Sequence, residues 1–205
     1  MKIKKLIILG LLTVAAGSCK HATGKQAGTV ETDAIQTTST TEDYLIKESS
    51  AGQFTIGQQI PFPADNIQKK YLTRTTEEGE TEEPVYVVTE NEQEILLITP
   101  EYDYETEVFN NKIGEIIILS DKFKTTAGIG VNFTIEEFVE KYPDFHIWYT
   151  YVSGMYVIET GSINNVQFLL DENDFTGKLE ISDEITTLKL SDFNPNAKII
   201  QIRII

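Results

Sequence analysis

The sequence predicts an α+β protein with two tandem units, each a short helix plus a mainly antiparallel four-stranded sheet, after a signal peptide and a disordered tether. Three observations support this prediction. Short runs of β-branched and aromatic residues are separated by turn signals such as Glu78-Gly79 and Ser153-Gly154. One segment has the pattern of a capped amphipathic helix, and parts of the chain repeat at a nearly constant offset.

The start of the chain has the organisation of a secretion signal. Basic residues at positions 2, 4 and 5 precede a short apolar run from Leu6 to Ala16, and small residues follow up to Ser18. An apolar run this short does not span a bilayer as a stable helix, which takes about 20 residues. We therefore expect residues 1–18 to be a removable signal peptide.

Cys19, the one cysteine of the chain, stands at the expected cleavage site. Ala16-Gly17-Ser18-Cys19 resembles the lipobox of bacterial lipoproteins, with Ala16 where leucine is usual. The alternative is ordinary cleavage, which would leave a free thiol on an exported protein. We favour acylation of Cys19, with chains such as palmitate, because several acyl tails anchor a protein stably. By resemblance to lipoprotein sorting rules, Lys20 implies delivery to the outer membrane, and the lack of an acidic run after Cys19 favours its periplasmic face.

Residues 20–53 are expected to form a flexible tether. They are rich in Thr, Ser, Gly and Ala and contain few large apolar side chains, so they cannot bury enough surface to fold. A flexible chain of this length has a reach of roughly 30–35 Å. The folded part would then act at a distance from the membrane.

The chain is strongly acidic, with 17 basic and 32 acidic residues and a formal net charge of −15. Removal of residues 1–18 takes away three lysines and no acids, which changes the net charge to −18. This balance disfavours binding to nucleic acid or to anionic lipid surfaces and favours cationic partners or metal ions. A role in solubility alone is the other interpretation.

One helix is predicted with a defined beginning and end. Thr134 and Glu137 form a capping box, in which each side chain bonds the backbone N–H of the other residue. Pro143 ends the helix. Its apolar face has helical spacing and consists of Ile135, Phe138, Val139 and Tyr142.

Two parts of the predicted folded region repeat each other. Leu97-Ile98 and Leu169-Leu170 are 72 residues apart, and three further matches, Ile56 with Ile129, Lys70 with Lys141 and Tyr86 with Tyr156, have offsets of 70 to 73. A final match between Lys112-Ile113 and Lys198-Ile199 has an offset of 86, which indicates an insertion near residues 175–185. The predicted organisation is a signal peptide at 1–18, Cys19 and the tether at 19–53, unit one at 54–120 and unit two at 121–205.

The order of a helix followed by antiparallel strands, doubled in an exported chain, resembles the β-lactamase-inhibitor-protein-like fold and the small assembly lipoproteins of the SmpA/OmlA type. The matching residues run from Gly130 through Thr134 into Glu136-Glu137-Phe138-Val139 and end at Tyr142-Pro143. Residues 120–134 also resemble uncharacterised lipoproteins of gut-type bacteria. These resemblances imply a binding role.

The sequence contains no recognisable catalytic motif. It has no G-x-S-x-G elbow, no H-E-x-x-H, no phosphate-binding glycine loop and no C-x-x-C. His146 is the single histidine of the predicted folded part, and one histidine makes a poor metal site. Asp171, Asn173 and Asp174 could offer oxygen ligands to calcium, but they lack the spacing of an EF-hand loop. We therefore expect no enzyme activity and no cofactor.

Two regions are candidates for an interaction surface. The first is an aromatic strand that carries Trp148, Tyr149 and Tyr151, either as core residues or as a recognition face. The second is acidic: residues 77–107 hold twelve carboxylates, and no Lys or Arg occurs between Arg74 and Lys112. Its first hairpin contains Glu77, Glu78, Glu80, Glu82 and Glu83.

The function expected from these features is that of a lipid-anchored, non-enzymatic protein of the cell envelope that binds another protein, and the acidic charge favours a basic partner. An inhibitor or immunity-like module against a periplasmic or secreted enzyme is the alternative, and a hydrolase is a third and weaker one. The membrane is contacted through the N-terminal lipid, and no nucleic-acid partner is expected.

The predicted anchor is tested by replacing Cys19 with Ser. Because this removes the only acceptor for the acyl chains, the variant should leave the membrane fraction and should no longer incorporate a labelled fatty acid. Wild-type protein under the same fractionation is the control. A Cys19→Ser protein that stays fully with the membranes would show that the anchor has another origin.

Overall fold

The computed structural model describes residues 41–76, 79–180 and 183–205. Most of these residues lie in β-strands, and the described part contains one α-helix. The fold is therefore α+β, as expected, but mainly β. The strands are β1 (Leu45–Lys47), β2 (Ser50–Ala51), β3 (Phe54–Thr55), β4 (Ile67–Thr76), β5 (Gly79–Glu90), β6 (Gln93–Asp103), β7 (Val108–Ile118), β8 (Lys124–Thr125), β9 (Phe145–Thr150), β10 (Met155–Thr160), β11 (Val166–Leu170), β12 (Ile185–Leu188) and β13 (Ile199–Ile204), and α1 spans Ile135–Lys141.

The strands form two sheets. A small sheet has the order β3-β2-β1-β8, and a large one has the order β12-β9-β10-β11-β13-β7-β6-β5-β4. The large sheet is antiparallel throughout its described pairings. Strands from both predicted units therefore belong to one sheet.

Each half of the large sheet contains the expected four strands, but the expected helix of the first half is wrong. The segment from Gly57 to Tyr71 forms a turn, an irregular stretch and the start of β4. Pro61 and Pro63 lie within it, and proline removes a backbone donor and disfavours a helical residue before it. The prolines disfavour a helix in the first part of the segment, and the residues from Ile67 onward pair with β5 as a strand. The similarity to the helix of the second half is therefore one of sequence only.

The predicted end of the tether is also wrong. Residues 41–53 are folded: β1 pairs in parallel with β8, and Ile46 and Ala51 are 0% exposed. A few apolar side chains are sufficient here because they add to a core that other strands provide. Residues 1–40, which hold the predicted signal peptide, Cys19 and most of the predicted tether, lie outside the described residues.

Within the described part, no helix has the length and apolar character needed to cross a membrane.

The predicted capping box of α1 is confirmed. The Thr134 hydroxyl accepts from the Glu137 backbone N–H at 3.2 Å, and the Glu137 carboxylate accepts from the Thr134 backbone N–H at 2.8 Å. The bond from the Thr134 backbone N–H, followed by one that the Thr134 hydroxyl donates to the carboxylate at 2.9 Å, lowers the pKa of the Glu137 carboxyl. The helix buries Ile135 and Phe138 completely, and the Phe138 ring lies 4.8 Å from that of Phe168 on β11.

Loss of the N-cap should destabilise the fold. Thr134→Ala removes the side-chain acceptor, and we expect the free energy of unfolding to fall by about 0.5–2 kcal/mol. Denaturation in urea measures this, with Thr73→Ala on exposed β4 as the control. A midpoint for Thr134→Ala equal to that of the control, at unchanged m-value, would contradict the role of the cap.

Candidate functional site

Two long hairpins extend from one end of the large sheet. The first consists of β4 and β5, and the second consists of β6 and β7. The described pairs between β5 and β6 end at Tyr86 and Ile98. Pro84 and Pro100 follow on the two facing strands, and proline donates no ladder hydrogen bond. The described ladder between the two hairpins therefore does not extend into their outer parts.

The tip of the second hairpin carries an exposed aromatic cluster. The Tyr102 ring lies 5.0 Å from the Tyr104 ring and 5.0 Å from the Phe109 ring, both edge to face. Tyr104 is 86% exposed, and Val108 beside the cluster is 54% exposed. Large apolar groups clustered this far from the core contribute little to folding, so they are available for contact with a partner.

The turn that joins β6 to β7 is fixed by its own hydrogen bonds. The Asp103 carboxylate accepts from the backbone N–H groups of Glu105 at 2.9 Å and Thr106 at 3.3 Å. The Thr106 hydroxyl, followed by these two N–H groups, holds the pKa of the Asp103 carboxyl below its ordinary value. Glu107 adopts a left-handed conformation, with φ of 56°. An ordered turn holds the aromatic rings in place before any partner binds, which lowers the entropy cost of binding.

The same tip is acidic. Four carboxylates lie within seven residues, at Glu101, Asp103, Glu105 and Glu107, with no basic residue between them. Aromatic side chains are enriched at the centres of protein interfaces, and charged residues belong to the rims. The tip thus has an apolar contact area with a negatively charged rim, which complements an apolar patch surrounded by Lys or Arg.

The predicted acidic surface on the first hairpin is described only in part. Glu82 is exposed and Glu83 is half-buried, both on β5. Glu80 also lies on β5, but its side chain is outside the described residues, as are Glu77 and Glu78 altogether.

The predicted aromatic surface is far from these acids. Trp148 and Tyr149 lie on β9, which is six strand positions away from β5 in the sheet order. At a spacing of about 4.8 Å per strand, this is a separation of about 29 Å. The acidic hairpin and the aromatic strand therefore form two separate regions.

Alternation along β9 divides its aromatic residues between two faces. Tyr149 packs on Tyr156 with ring centroids 4.8 Å apart, on the face that carries buried Ile147. Trp148 lies on the opposite face and is half-buried. His146 lies on the same face, with its Nε2 atom 2.6 Å from the Glu159 carboxylate. Tyr151 follows the strand and is 64% exposed. Tyr149 is thus partly buried against the core, and Tyr151 remains a surface candidate.

The weak calcium candidates form a local turn. The Asp171 carboxylate accepts from the backbone and side-chain N–H groups of Asn173 at 2.9 and 2.7 Å, and these bonds lower the pKa of Asp171. Asp174 accepts from the backbone N–H of Lys198 at 3.3 Å. In the described part of the chain, no group of three or more His, Cys, Asp or Glu side chains is arranged to hold a metal ion.

Sequence reasoning missed Tyr102, Tyr104 and Phe109. A signal was present: two tyrosines alternate with acids just before a turn, and an aromatic residue follows it at the start of the next strand. Alternation places Tyr102 and Tyr104 on the same side of an extended chain. The excess of carboxylates in residues 77–107 is visible in the sequence, but charge alone does not point to the aromatic side chains between them.

Comparison with known proteins does not show a family for this chain. No family model matches it. No curated protein matches it either. Among solved structures it is similar to the uncharacterized protein yfeY from Escherichia coli, with 9% sequence identity and a TM-score of 0.49 over 78% of this chain and 97% of that chain. A likeness at this level supports no argument about fold or function, and the resemblance to the inhibitor-like and SmpA/OmlA-type proteins stays a prediction.

The exposed aromatic tip should be dispensable for folding. Tyr104→Ser should change the free energy of unfolding by less than about 0.5 kcal/mol, because the side chain is exposed. Tyr142→Phe is the matched contrast: it deletes a buried hydroxyl that donates to Thr125 at 2.8 Å, at a cost of about 0.5–1.5 kcal/mol. Urea denaturation compares the two variants. A larger loss for Tyr104→Ser than for Tyr142→Phe would show that the tip serves the fold.

Proposed function

We propose that this chain is a lipid-anchored, non-enzymatic protein of the cell envelope that binds a basic surface on another protein through the tip of its second hairpin. The observation that carries the proposal is the aromatic cluster of Tyr102, Tyr104 and Phe109, with both tyrosines exposed, in a segment that holds four carboxylates. The expected lipid on Cys19 places the protein at the outer membrane, on its periplasmic side.

Charge and contact have different roles in the proposed binding. Exposed charges are screened beyond about 8 Å at physiological salt, so the acids guide a partner only at short range. Desolvated tyrosine rings supply lasting contact energy, since tyrosine is among the residues that dominate interface energetics. Charge should therefore set the association rate, and the rings should set the dissociation rate.

We also infer that the two halves of the large sheet arose by tandem duplication. Tyr86 pairs with Ile98 in the first half, and Tyr156 pairs with Leu170 in the second. The residues that repeat in sequence thus occupy matching positions in the strand ladders, which supports the inference. The first half lacks the helix of the second, so the common unit is the four-stranded sheet.

The proposed binding is tested by site-specific photo-cross-linking in the native envelope. A photoreactive benzoylphenylalanine at position 104 should form one discrete adduct with another protein on irradiation, because this side chain would lie in the interface. The same group at position 178 is the matched control, since the Lys178 side chain is 85% exposed but lies in another loop.

A second arm tests the role of charge. Glu105→Gln together with Glu107→Gln should reduce the yield of the position-104 adduct, and added salt should reduce it in the parent protein but less in this variant. An absent adduct at position 104, or the same adducts from positions 104 and 178, would contradict the proposal.

A further inference from the structure

A cavity of about 260 Å³ lies between the small sheet and the turn that joins β5 to β6. Ala51, Val88 and Ile95 are among its lining residues, and all three are buried. The cavity lies beside Thr89 and Glu90, at the opposite end of β5 and β6 from the hairpin tips. It is therefore separate from the surface assigned to partner binding.

The cavity has an aromatic wall. Tyr44, Phe54 and Phe123 line it, and the Tyr44 and Phe123 rings meet edge to face at 5.2 Å. The faces of aromatic rings carry negative electrostatic potential and attract cations, including quaternary ammonium groups. Phe54 and Phe123 are almost completely buried, so the half-buried Tyr44 is the ring most accessible to a ligand.

A fixed carboxylate lies beside this wall. Glu90 accepts hydrogen bonds from the Tyr44 hydroxyl on one oxygen and from the Lys122 ammonium on the other. Lys122, followed by Tyr44, holds the pKa of the Glu90 carboxyl below its ordinary value. The group is therefore ionised and oriented before any ligand enters, and each oxygen retains a second lone pair.

A glycine allows the wall to form. Gly52 has a φ of +54°, and a Cβ atom there would lie 2.2 Å from the backbone oxygen of Asp43. Only a residue without a side chain permits this approach between the β2–β3 turn and the short 3₁₀ helix Thr41–Tyr44. The close approach places Asp43 and Tyr44 at the cavity.

The polar lining is rich in acceptors. Besides Glu90 and Asp43, it includes Gln53, Asn66 and Thr89, and the lining residues include no Lys, Arg or His. Lys122 does not line the cavity, but its ammonium bonds the same carboxylate and lies 5.6 Å from the centroid of the Tyr44 ring. The volume is slightly below the range of about 300–1,000 Å³ of drug-sized sites, so it suits a small ligand.

We propose that this cavity binds a small organic ammonium ion, which lies against the Tyr44 ring with its charge directed at the Glu90 carboxylate. Two carboxylates line the cavity, and a cation balances their negative charge, which a neutral sugar does not. The positive charge of Lys122 opposes the ligand, so affinity should be modest and should depend on that residue.

The test titrates the full chain with choline and with its neutral isostere 3,3-dimethylbutan-1-ol, and measures binding by calorimetry. Choline should bind saturably and at least tenfold more tightly than the alcohol, because the two probes differ mainly in charge. Equal binding of the two probes, no saturable binding of choline, or binding of glucose in its place would overturn the proposal.

Variants separate ligand contact from damage to the fold. Glu90→Gln should weaken choline binding at least tenfold, whereas Lys122→Gln should strengthen it, since it removes a like charge from the same carboxylate. Glu94→Gln, which removes the partner of Lys70 outside the cavity, is the matched control and should have no effect. If Lys122→Gln and Glu90→Gln both weaken binding, the effect is structural and the proposal fails. Tyr104→Ser should leave choline binding unchanged, which keeps this outcome independent of the hairpin tip.

Discussion

The pairing of β7 with β13 is the contact on which the rest of the structure depends. It joins the four strands of the first half to the five strands of the second half through Ile116, Ile118, Ile202 and Ile204, which are all 0% exposed. Burial of one such side chain is worth about 1.5–3 kcal/mol. On the other face, Arg203 bonds Glu115 at 2.5 Å, but both are partly exposed, so the isoleucines contribute more. A slip of one residue would turn them toward the opposite face, so burial also fixes the register.

Two errors of the sequence prediction have one physical cause. Each half of the large sheet needs a cover for its apolar face, and the sequence indicated a helix for both. In the second half α1 does this through Phe138. In the first half the small sheet takes that place through Ala51, from the segment assigned to the tether, and Phe54, the first residue of predicted unit one. That segment is polar on average, so composition could not show that its few apolar residues are buried. The strands, the turns and the capping box of α1 have local signals and were predictable.

The candidate site was predictable only where its signals are local. The excess of carboxylates at residues 77–107 was visible in the sequence, and so was the aromatic character of β9. Whether those regions meet depends on the strand order, and β13, the last strand, lies between β11 and β7. Arg203 and Glu115 are 88 positions apart in sequence, and no local pattern encodes such a pairing. The distance between Trp148 on β9 and the carboxylates on β5 follows from this strand order.

The hairpin tip and the cavity both combine carboxylates with aromatic rings, but in different surroundings. At the tip, carboxylates near Tyr104 are exposed to water, where a charge 4 Å away contributes about 1 kcal/mol, so a partner needs contact area as well as charge. Beside the cavity, the Glu90 carboxylate is held in one orientation by Tyr44 and Lys122, although its side chain is still 32% exposed. The proposal for the cavity therefore depends on an oriented carboxylate next to an aromatic wall, whereas the proposal for the tip depends on an extended contact surface. In both proposals the arrangement of the carboxylates matters more than the net charge of −15.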